Sequence, residues 1–271
     1  RNAGWPNVSL RTGFSAEMAE RHAQMAKEAA AASTDSTSDV PVDLNKPTST
    51  LYYDDAYMVE FDATVLDCAK STVQHVNGAT HVVVLDSTCF YPEGGGQEGD
   101  RGHLAFGKQV VNVLDTQKAS GVVLHHTDGP VPKGEAVKGT LNWHRRKQLM
   151  DHHTAVHIVG GAARKLLGPH IFQAGSHLGE GSGRLDVTHY NRLTRDDLDA
   201  MEDMANNVLG EIKATEKTEL NRKDADLIHG FDLYQGGAPK GDSIRVLKIG
   251  DHDIQACGGT HHDEIGQIGS I

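Results

Sequence analysis

The chain has 271 residues, of which 38% are hydrophobic, so it is long enough for one large core or two modest ones. Its formal net charge of −11 excludes a protein coated with nucleic-acid-binding charge. No run approaches the ~20 apolar residues of a membrane span, and no signal peptide is recognisable. Its three cysteines give no framework of paired disulfides, so we expect a cytoplasmic protein without membrane contact.

The acidic balance still allows a local basic strip on one helix, or it reflects a salt-adapted source. The candidate strip has five residues: Arg145, Arg146, Lys147, Arg164 and Lys165. The alternative for these residues is an ordinary exposed helix face. Cys68 and Cys89 fall in or beside apolar β-like runs, which indicates buried core positions rather than reactive thiols.

The first fifty residues predict a helix followed by a linker. Residues 1–32 are rich in alanine and glutamate and are interpreted as the helical tail of a preceding domain. Residues 33–50 are rich in Ser, Thr, Asp and Pro without periodicity, which predicts a linker. Because the first residue is Arg1 and not Met, we expect the chain to be a piece of a longer protein.

Residues 51–141 predict a small antiparallel β-barrel, because short apolar or alternating runs recur with turn residues between them. The predicted strands are residues 60–66, 80–85, 102–106, 109–114, 121–125 and 137–141. Residues 88–97 lie between two of these strands and have the sequence Thr-Cys-Phe-Tyr-Pro-Glu-Gly-Gly-Gly-Gln. Three consecutive glycines favour either a loop whose backbone can approach other atoms closely or an ordinary wide turn.

Residues 143–167 predict a helix that carries two histidines on one face. Asn142 is a suitable N-cap, and the apolar residues recur at helical spacing. His153 and His157 lie four residues apart, about one turn, so both rings can reach one metal ion. The neighbouring His152 is rotated about 100° away, so we expect it outside the same coordination shell.

The remaining residues alternate between helix and strand, so residues 142–271 predict a second, α+β subdomain. Gly168 and Pro169 end the first helix, and a helix from Thr194 to about residue 213 opens with acidic residues in its first turn. A short helix is predicted at residues 223–228. The predicted strands are residues 184–188, 217–220, 244–249 and 253–256.

Cys257 and His261 bracket a glycine-rich turn, which lets a thiolate and an imidazole converge on one centre. Each half-site is a weak signal by itself. Together His153, His157, Cys257 and His261 form a nitrogen- and sulfur-rich set suited to one Zn²⁺ ion. His262, next to a ligand, is expected in a supporting or surface role.

Three motifs in this order resemble the editing domain of alanyl-tRNA synthetases, and likewise freestanding proteins that deacylate mischarged alanine tRNA. They are the His-x-x-x-His helix, the Cys-x-x-x-His turn and the Phe-Tyr-Pro-Glu-Gly-Gly-Gly-Gln run of residues 90–97. The resemblance covers residues 51–271. Residues 173–176, 184–189 and 234–237 resemble the archaeal form of the synthetase in particular.

This resemblance implies hydrolysis of the ester that joins serine or glycine to the 3′ end of alanine tRNA. A pocket built for alanine cannot exclude glycine and rejects serine poorly, so a second site must destroy the wrong product. The resemblance also implies the additional domain shared by alanyl- and threonyl-tRNA synthetases. We expect an aminoacylation domain before Arg1 and further sequence after Ile271, so that the intact chain ligates alanine to its tRNA.

The resemblance places Thr88 and Gln97 at catalytic pocket positions, where a hydroxyl and an amide would meet the serine side chain or the attacked ester. A developing oxyanion could be supported by backbone donors of two glycine groups, Gly94, Gly95 and Gly96 or Gly258 and Gly259. Arg184 and Asp186 share one side of a predicted strand. They either line the pocket as substrate-binding residues or pair with each other.

Three questions stay open in the sequence. Four protein ligands close a tetrahedral shell, which is typical of a structural zinc, whereas catalysis needs an open position. A zinc-stabilised tRNA-binding module without catalysis is an alternative function. A threonyl-type editing domain shares the metal motifs, although the long barrel and the glycine loop favour the alanyl type.

Overall fold

The computed structural model describes residues 41–72, 76, 78–212, 214–235, 237 and 241–271. The predicted helical tail of residues 1–32 and residues 33–40 of the predicted linker lie outside the described residues. The fold class is confirmed as α+β with a closed antiparallel barrel.

Six strands form the barrel, each pairing antiparallel with its neighbours in the order β2-β3-β7-β6-β5-β8. Their bounds are β2 Glu60–Lys70, β3 His81–Leu85, β5 Gly102–Phe106, β6 Gln109–Ala119, β7 Val122–Thr127 and β8 Ala136–Leu141. Alternate residues of β2 point into the barrel, and Phe61, Val83, Phe90 and Leu104 pack together in its interior. The predicted strands are confirmed, and β2 and β6 extend several residues further than expected.

The segment that precedes the barrel packs against it. Strand β1 (Ser49–Thr50) pairs in parallel with β4 (Ser87–Thr88), just before the glycine loop. Thr48 is buried, and its hydroxyl accepts a hydrogen bond from the Val123 amide at 3.0 Å. Residues 41–50 of the predicted linker are therefore ordered against the barrel wall.

The second half is built on the long helix α1 (Trp143–Leu167), which begins at the predicted residue. The Asn142 side chain accepts from the Arg145 amide as an N-cap, and the chain leaves the helix at Gly168. Two further helices are α2 (Arg195–Glu211), with a Thr194 capping box, and α3 (Arg222–His229), capped by Asn221.

Two small sheets complete this half of the molecule. Strand β9 (Gln173–Leu178) pairs antiparallel with β10 (Gly183–Val187). A three-stranded sheet has the order β11 (Glu216–Asn221), β12 (Ser243–Ile249) and β13 (Asp253–Ala256). Helix α1 packs against α2, β10 and β13, and its Ile158 meets Leu247 and Ile249 in a shared core.

Both alternatives for the basic residues of α1, a basic strip and an ordinary exposed helix face, are wrong for the first two arginines, because these face inward. Arg146 is fully buried and forms an ion pair with Asp100 while donating to the carbonyls of Ala56 and Cys89. Arg145 is also buried and pairs with Glu98 at 2.6 Å and with the Glu180 carboxylate at 2.9 Å. Both side chains join α1 to the segment that follows the glycine loop.

None of the helices in the described part of the chain combines the length and apolarity that crossing a membrane requires. Of the two cysteines predicted in the core, Cys89 is fully buried, whereas Cys68 is half-buried against the barrel core. Burial raises the pKa of the Cys89 thiol to about 12, which keeps it protonated and inert.

Candidate functional site

Four side chains from two distant segments converge as a compact cluster. Helix α1 presents His153 and His157 with their rings stacked and their centroids 5.5 Å apart. The Sγ atom of Cys257 lies 3.4 Å from Nε2 of His153 and 3.1 Å from Nε2 of His261. One donor atom from each of the four residues lies within 4.8 Å of every other, so the cluster could hold a metal ion.

The turn after β13 is shaped by the backbone around Cys257. The Cys257 amide donates to the Arg245 carbonyl, which extends the β12–β13 pairing by one residue and sets the thiol beside α1. A Cβ atom on Gly259 would lie 2.1 Å from Cε1 of His153. Only glycine therefore allows the turn to pass so close to the histidine ring.

Two of the three histidines are held by acceptors outside the cluster. Nδ1 of His153 lies 2.8 Å from Oε1 of Gln97, and Nδ1 of His157 lies 3.1 Å from Oδ2 of Asp253. An amide or carboxylate oxygen only accepts, so both rings carry their proton on Nδ1 and turn Nε2 towards the cluster. Metal-binding histidines are typically oriented in this way.

The third histidine is held by a hydroxyl. Nδ1 of His261 lies 3.3 Å from Oγ1 of Thr154, which also accepts from the amide of His262. His262 itself is buried, its ring is bonded to Asp151 at 2.7 Å, and it is not part of the cluster. His152 bonds the Gly179 carbonyl at 2.7 Å and likewise lies outside the cluster.

The electrostatics of the cluster favour a thiolate. Burial opposes ionisation of Cys257, but the three surrounding imidazoles outweigh it and hold the thiol pKa well below its usual range. Burial also lowers the pKa of His261 well below its usual range. For His157 burial is outweighed by the charges of Cys257 and Asp253, which raise its pKa to about 10. The cluster thus favours a Cys257 thiolate, the charged form of the sulfur that binds a metal ion.

The cluster borders a cavity of about 550 Å³. His153, His157 and Cys257 line one side of it, while His261 lies behind them. The facing walls come from the glycine loop and from β9, namely Gly95, Gly96, Gln173, Ala174, Gly175 and Ser176. The rest of the lining comprises Tyr91, Gln235, Gly237, Gln255, Ala256 and Gly258.

The glycine loop approaches β9 closely. Gly96 has φ +83°, a conformation that favours glycine, and a Cβ atom there would lie 2.3 Å from Oγ of Ser176. The Leu178 amide donates to the Gly96 carbonyl, and the Glu98 amide donates to the Leu178 carbonyl. The loop and β9 therefore form one continuous wall.

The five glycines predicted as backbone donors fall into two groups. Gly95, Gly96 and Gly258 line the cavity, and no hydrogen bond among the described residues uses their amides. The Gly94 amide donates to the Gln97 carbonyl, and the Gly259 amide points at the Cys257 sulfur at 3.4 Å. Gly94 and Gly259 are thus already engaged.

Gln97 and Thr88 lie in different surroundings from those expected. Gln97 is fully buried, and its amide group bonds both His153 and Thr260, so it holds the cluster in place. The structure does not bring Thr88 to the cavity. Its hydroxyl lies in the barrel interior, 2.9 Å from Nε2 of His125, and accepts from the Phe90 amide. A substrate contact by Thr88 stays a prediction.

Arg184 and Asp186 pair with each other on β10 at 3.2 Å, with exposed side chains. Neither is among the residues that line the cavity, although Asp186 lies against Gly175 on the adjacent strand. Their predicted role in substrate binding stays a prediction.

Sequence reasoning assigned no role to several polar residues at this site. Gln173 and Ser176 line the cavity, and the Gln173 side chain donates to the Ser176 hydroxyl at 3.2 Å. The Gln235 side-chain oxygen accepts from the backbone amide of Gln173. The resemblance of residues 173–176 and 234–237 to a known form was the available signal. No sequence signal pointed to Asp253, because its contact with α1 is made in three dimensions.

Two family models match the chain. The model described as tRNA synthetases class II (A) matches residues 7–145. The model described as threonyl and alanyl tRNA synthetase second additional domain matches residues 244–271, which include the Cys257 turn.

Curated relatives from archaea are similar over most of the chain. An alanine–tRNA ligase of Halorubrum lacusprofundi is 43% identical over 97% of this chain and 27% of its own length. Alanine–tRNA ligases of Halobacterium salinarum and Saccharolobus islandicus are 49% and 39% identical, each over 83% of this chain, covering 24% and 25% of their own lengths. The chain therefore spans about a quarter of the relatives that it matches.

Proposed function

The chain belongs to the class II (A) tRNA synthetase family, as the editing part of an alanyl-type enzyme, and we propose that it hydrolyses serine or glycine esters mischarged onto alanine tRNA. One observation carries this proposal. The buried Cys–His cluster borders a cavity with a small polar wall on one side and unengaged backbone amides on two others. Its volume lies within the ~300–1,000 Å³ typical of small-molecule sites.

The donor set fits one Zn²⁺ ion held by His153, His157, Cys257 and His261. A tetrahedral site with zinc–sulfur and zinc–nitrogen distances of ~2.3 and ~2.0 Å separates sulfur from nitrogen by about 3.5 Å. The observed separations of 3.4 and 3.1 Å are close to that value. A thiolate beside imidazole nitrogens is also the ligand chemistry that zinc prefers.

Zinc at this cluster would order the cavity wall or polarise the ester and its attacking water. Four protein ligands favour the ordering role. In either case Gln97 acts as a positioning residue, because it fixes the ring of His153 and the Thr260 end of the Cys257 turn.

The amides of Gly95, Gly96 and Gly258 are the donors that would face the oxyanion formed when water attacks the ester carbonyl. Donors fixed in advance at such an oxygen supply transition-state stabilisation without reorganisation. These three glycines line the cavity and no backbone hydrogen bond among the described residues uses their amides, which supports this role.

Selectivity for serine over alanine would come from the β9 wall. The Ser176 hydroxyl and the Gln173 amide can bond the serine hydroxyl, whereas bound alanine leaves these polar groups without that partner. The β9 wall accounts for selectivity towards serine only, because glycine has no hydroxyl for it to bond.

The remaining proposals concern the intact protein, of which this chain is about a quarter by comparison with its relatives. We propose that it ligates alanine to its tRNA in the cytoplasm. Residues 51–141 and 142–271 are the proposed barrel and editing subdomains.

The test is release of the amino acid from alanine tRNA charged separately with serine, glycine or alanine, together with zinc content. We expect serine and glycine to be released well above the spontaneous rate and alanine to be retained. Cys257→Ala should lose the release. Bound zinc without release of serine or glycine would instead support a zinc-stabilised tRNA-binding module.

A further inference from the structure

A second cavity meets the first at the Cys257 turn. It has a volume of about 430 Å³, and Cys257 and Gly258 belong to the walls of both cavities. Its other walls are the outer face of the β11–β12 pair and the residues Tyr53 and Asp54, which precede the barrel. The Cys257 turn therefore borders both cavities, so one extended ligand could contact the cluster on one side of the turn and the second cavity on the other.

An aromatic ring and a guanidinium form one side of this second cavity. The Arg245 guanidinium lies over the Tyr53 ring, 5.0 Å from its centroid, and Tyr53 is 41% exposed. Nη1 of Arg245 donates to the Gly259 carbonyl at 2.6 Å, which fixes the guanidinium beside the cavity. A fixed arginine that covers an exposed tyrosine offers a flat surface for a base and a cation for a phosphate.

Further polar groups surround this pair. The Lys217 ammonium is largely buried, donating to the His261 carbonyl and pairing with Asp263. Glu219 lies opposite Arg245 on the neighbouring strand and accepts from the Ser243 hydroxyl. Asp54 lines the cavity beside Tyr53. Ribose hydroxyls can donate to the carboxylates while a phosphate contacts the cations. This mixture of charges therefore suits a nucleotide better than a free inorganic anion.

We propose that this second cavity binds the nucleotide that precedes the esterified one at the 3′ end of RNA. Arg245 contacts the phosphodiester between the two nucleotides, and the part of the Tyr53 ring that Arg245 leaves exposed packs against the preceding base. The inference rests on the proposed function, since it assumes that the ester lies in the first cavity. It assigns an RNA contact to a chain whose net charge of −11 gives no general attraction for nucleic acid.

The test measures binding of a 5′-fluorescent RNA oligonucleotide that ends in the sequence CCA, by fluorescence anisotropy on the whole 271-residue chain. We expect Tyr53→Ala and Arg245→Gln each to weaken binding about tenfold, the scale of one lost stacking or phosphate contact. Arg245→Lys should restore part of the affinity, because it keeps the cation. The matched control is Lys248→Ala, which removes a cation from the same strand where it pairs with Glu216 outside the cavity.

Zinc content and kinetics separate an RNA contact from damage to the cluster, since Arg245 bonds the turn that carries Cys257. For deacylation of seryl-charged tRNA, Arg245→Gln should raise KM about tenfold with zinc content unchanged and kcat within about threefold. Loss of zinc and kcat together in Tyr53→Ala as well as Arg245→Gln would overturn the inference.

Equal affinity of the Tyr53→Ala, Arg245→Gln and Lys248→Ala variants for the oligonucleotide would also overturn it, as would no binding by the unaltered chain. These results leave the proposed function intact if serine is still released. Conversely, binding that depends on Tyr53 and Arg245 without any deacylation would support the second cavity as an RNA site and contradict the editing function.

Discussion

Buried histidines of the barrel and of the Cys–His cluster differ in one respect, namely how many ring nitrogens have a partner outside the cluster. In the barrel, His125 is fully buried with both ring nitrogens engaged, Nδ1 by the Val83 carbonyl at 3.0 Å and Nε2 by the Thr88 hydroxyl at 2.9 Å. In the cluster, each histidine has only Nδ1 engaged from outside, and the opposite edges of the rings converge on Cys257.

This difference separates a structural histidine from a ligand-binding one. The histidine rings are buried in both regions, and in both regions Nδ1 has a hydrogen-bond partner. A histidine with two protein partners is complete without a ligand, whereas three histidines oriented by outside partners and facing one thiol are arranged for a shared ion. Substitutions in each region can break or sharpen the contrast.

The largest effect is expected from His153→Ala. It removes one of four ligands and leaves Gln97 without its imidazole partner, so metal affinity should fall by more than about 100-fold and deacylation should be lost. Zinc content after dialysis and release of serine from charged tRNA measure this. The control is His152→Ala, one residue away on α1, which should keep its zinc. Zinc retained in His153→Ala would contradict the assignment of the cluster.

The barrel histidine predicts a pH dependence of stability. Burial lowers the pKa of His125 to about 4, from the usual 6.5, so the unfolded chain takes up its proton first as the pH falls. Stability from this group is complete above pH 6.5 and is lost between pH 6.5 and 4, by up to about 3 kcal/mol.

Urea unfolding across that pH range should show this loss of unfolding free energy. In His125→Gln the loss should be smaller by the contribution of His125, up to about 3 kcal/mol. The glutamine keeps a donor and an acceptor but does not titrate. An unchanged slope in His125→Gln would show that other groups account for the acid sensitivity of the protein.

A smaller effect is expected from Gln97→Ala. All four ligands remain, but the His153 ring loses the acceptor that orients it, so zinc affinity should fall about 10–100-fold without being abolished. Competition with a chelator of known affinity measures the change. Gln117→Ala, which removes an amide bonded to the Glu93 and Asp115 side chains, is the control and should leave zinc affinity unchanged.

Sequence reasoning reached the four residues of the cluster because their spacing is local. His153 and His157 share a face of one capped helix, and Cys257 and His261 bracket one glycine turn. The barrel strands were also predictable, since short apolar or alternating runs with turn residues between them mark them in the sequence. Each of these features is readable within about ten residues of chain.

The parts that sequence reasoning missed depend on contacts between distant segments. Strand β9 has the sequence Gln-Ala-Gly-Ser-His-Leu, with no β-branched residue, and is held by β10 and the Gly96 carbonyl. The partner of Arg146 lies 46 residues earlier, at Asp100. Thr88 matches the family position, yet only the packed barrel shows that its hydroxyl faces His125.

The smallest effect is expected from Arg184→Ala. Arg184 and Asp186 are both exposed, so their ion pair should contribute less than about 1 kcal/mol to stability. Thermal unfolding should show almost no change. A fall in deacylation at unchanged stability would support the predicted substrate-binding role, and unchanged deacylation would limit the pair to the surface of β10.

The Arg146–Asp100 pair has a consequence for any attempt to divide the chain between barrel and helix. If residues 142–271 were produced alone, the guanidinium of Arg146 would lose Asp100 and the carbonyls of Ala56 and Cys89 together, and water would take their place. The complementary fragment would keep an orphaned carboxylate. Neither half then keeps the buried ion pair that joins α1 to the barrel side, so we expect relatives that separate this unit from the rest of a synthetase to retain both halves together.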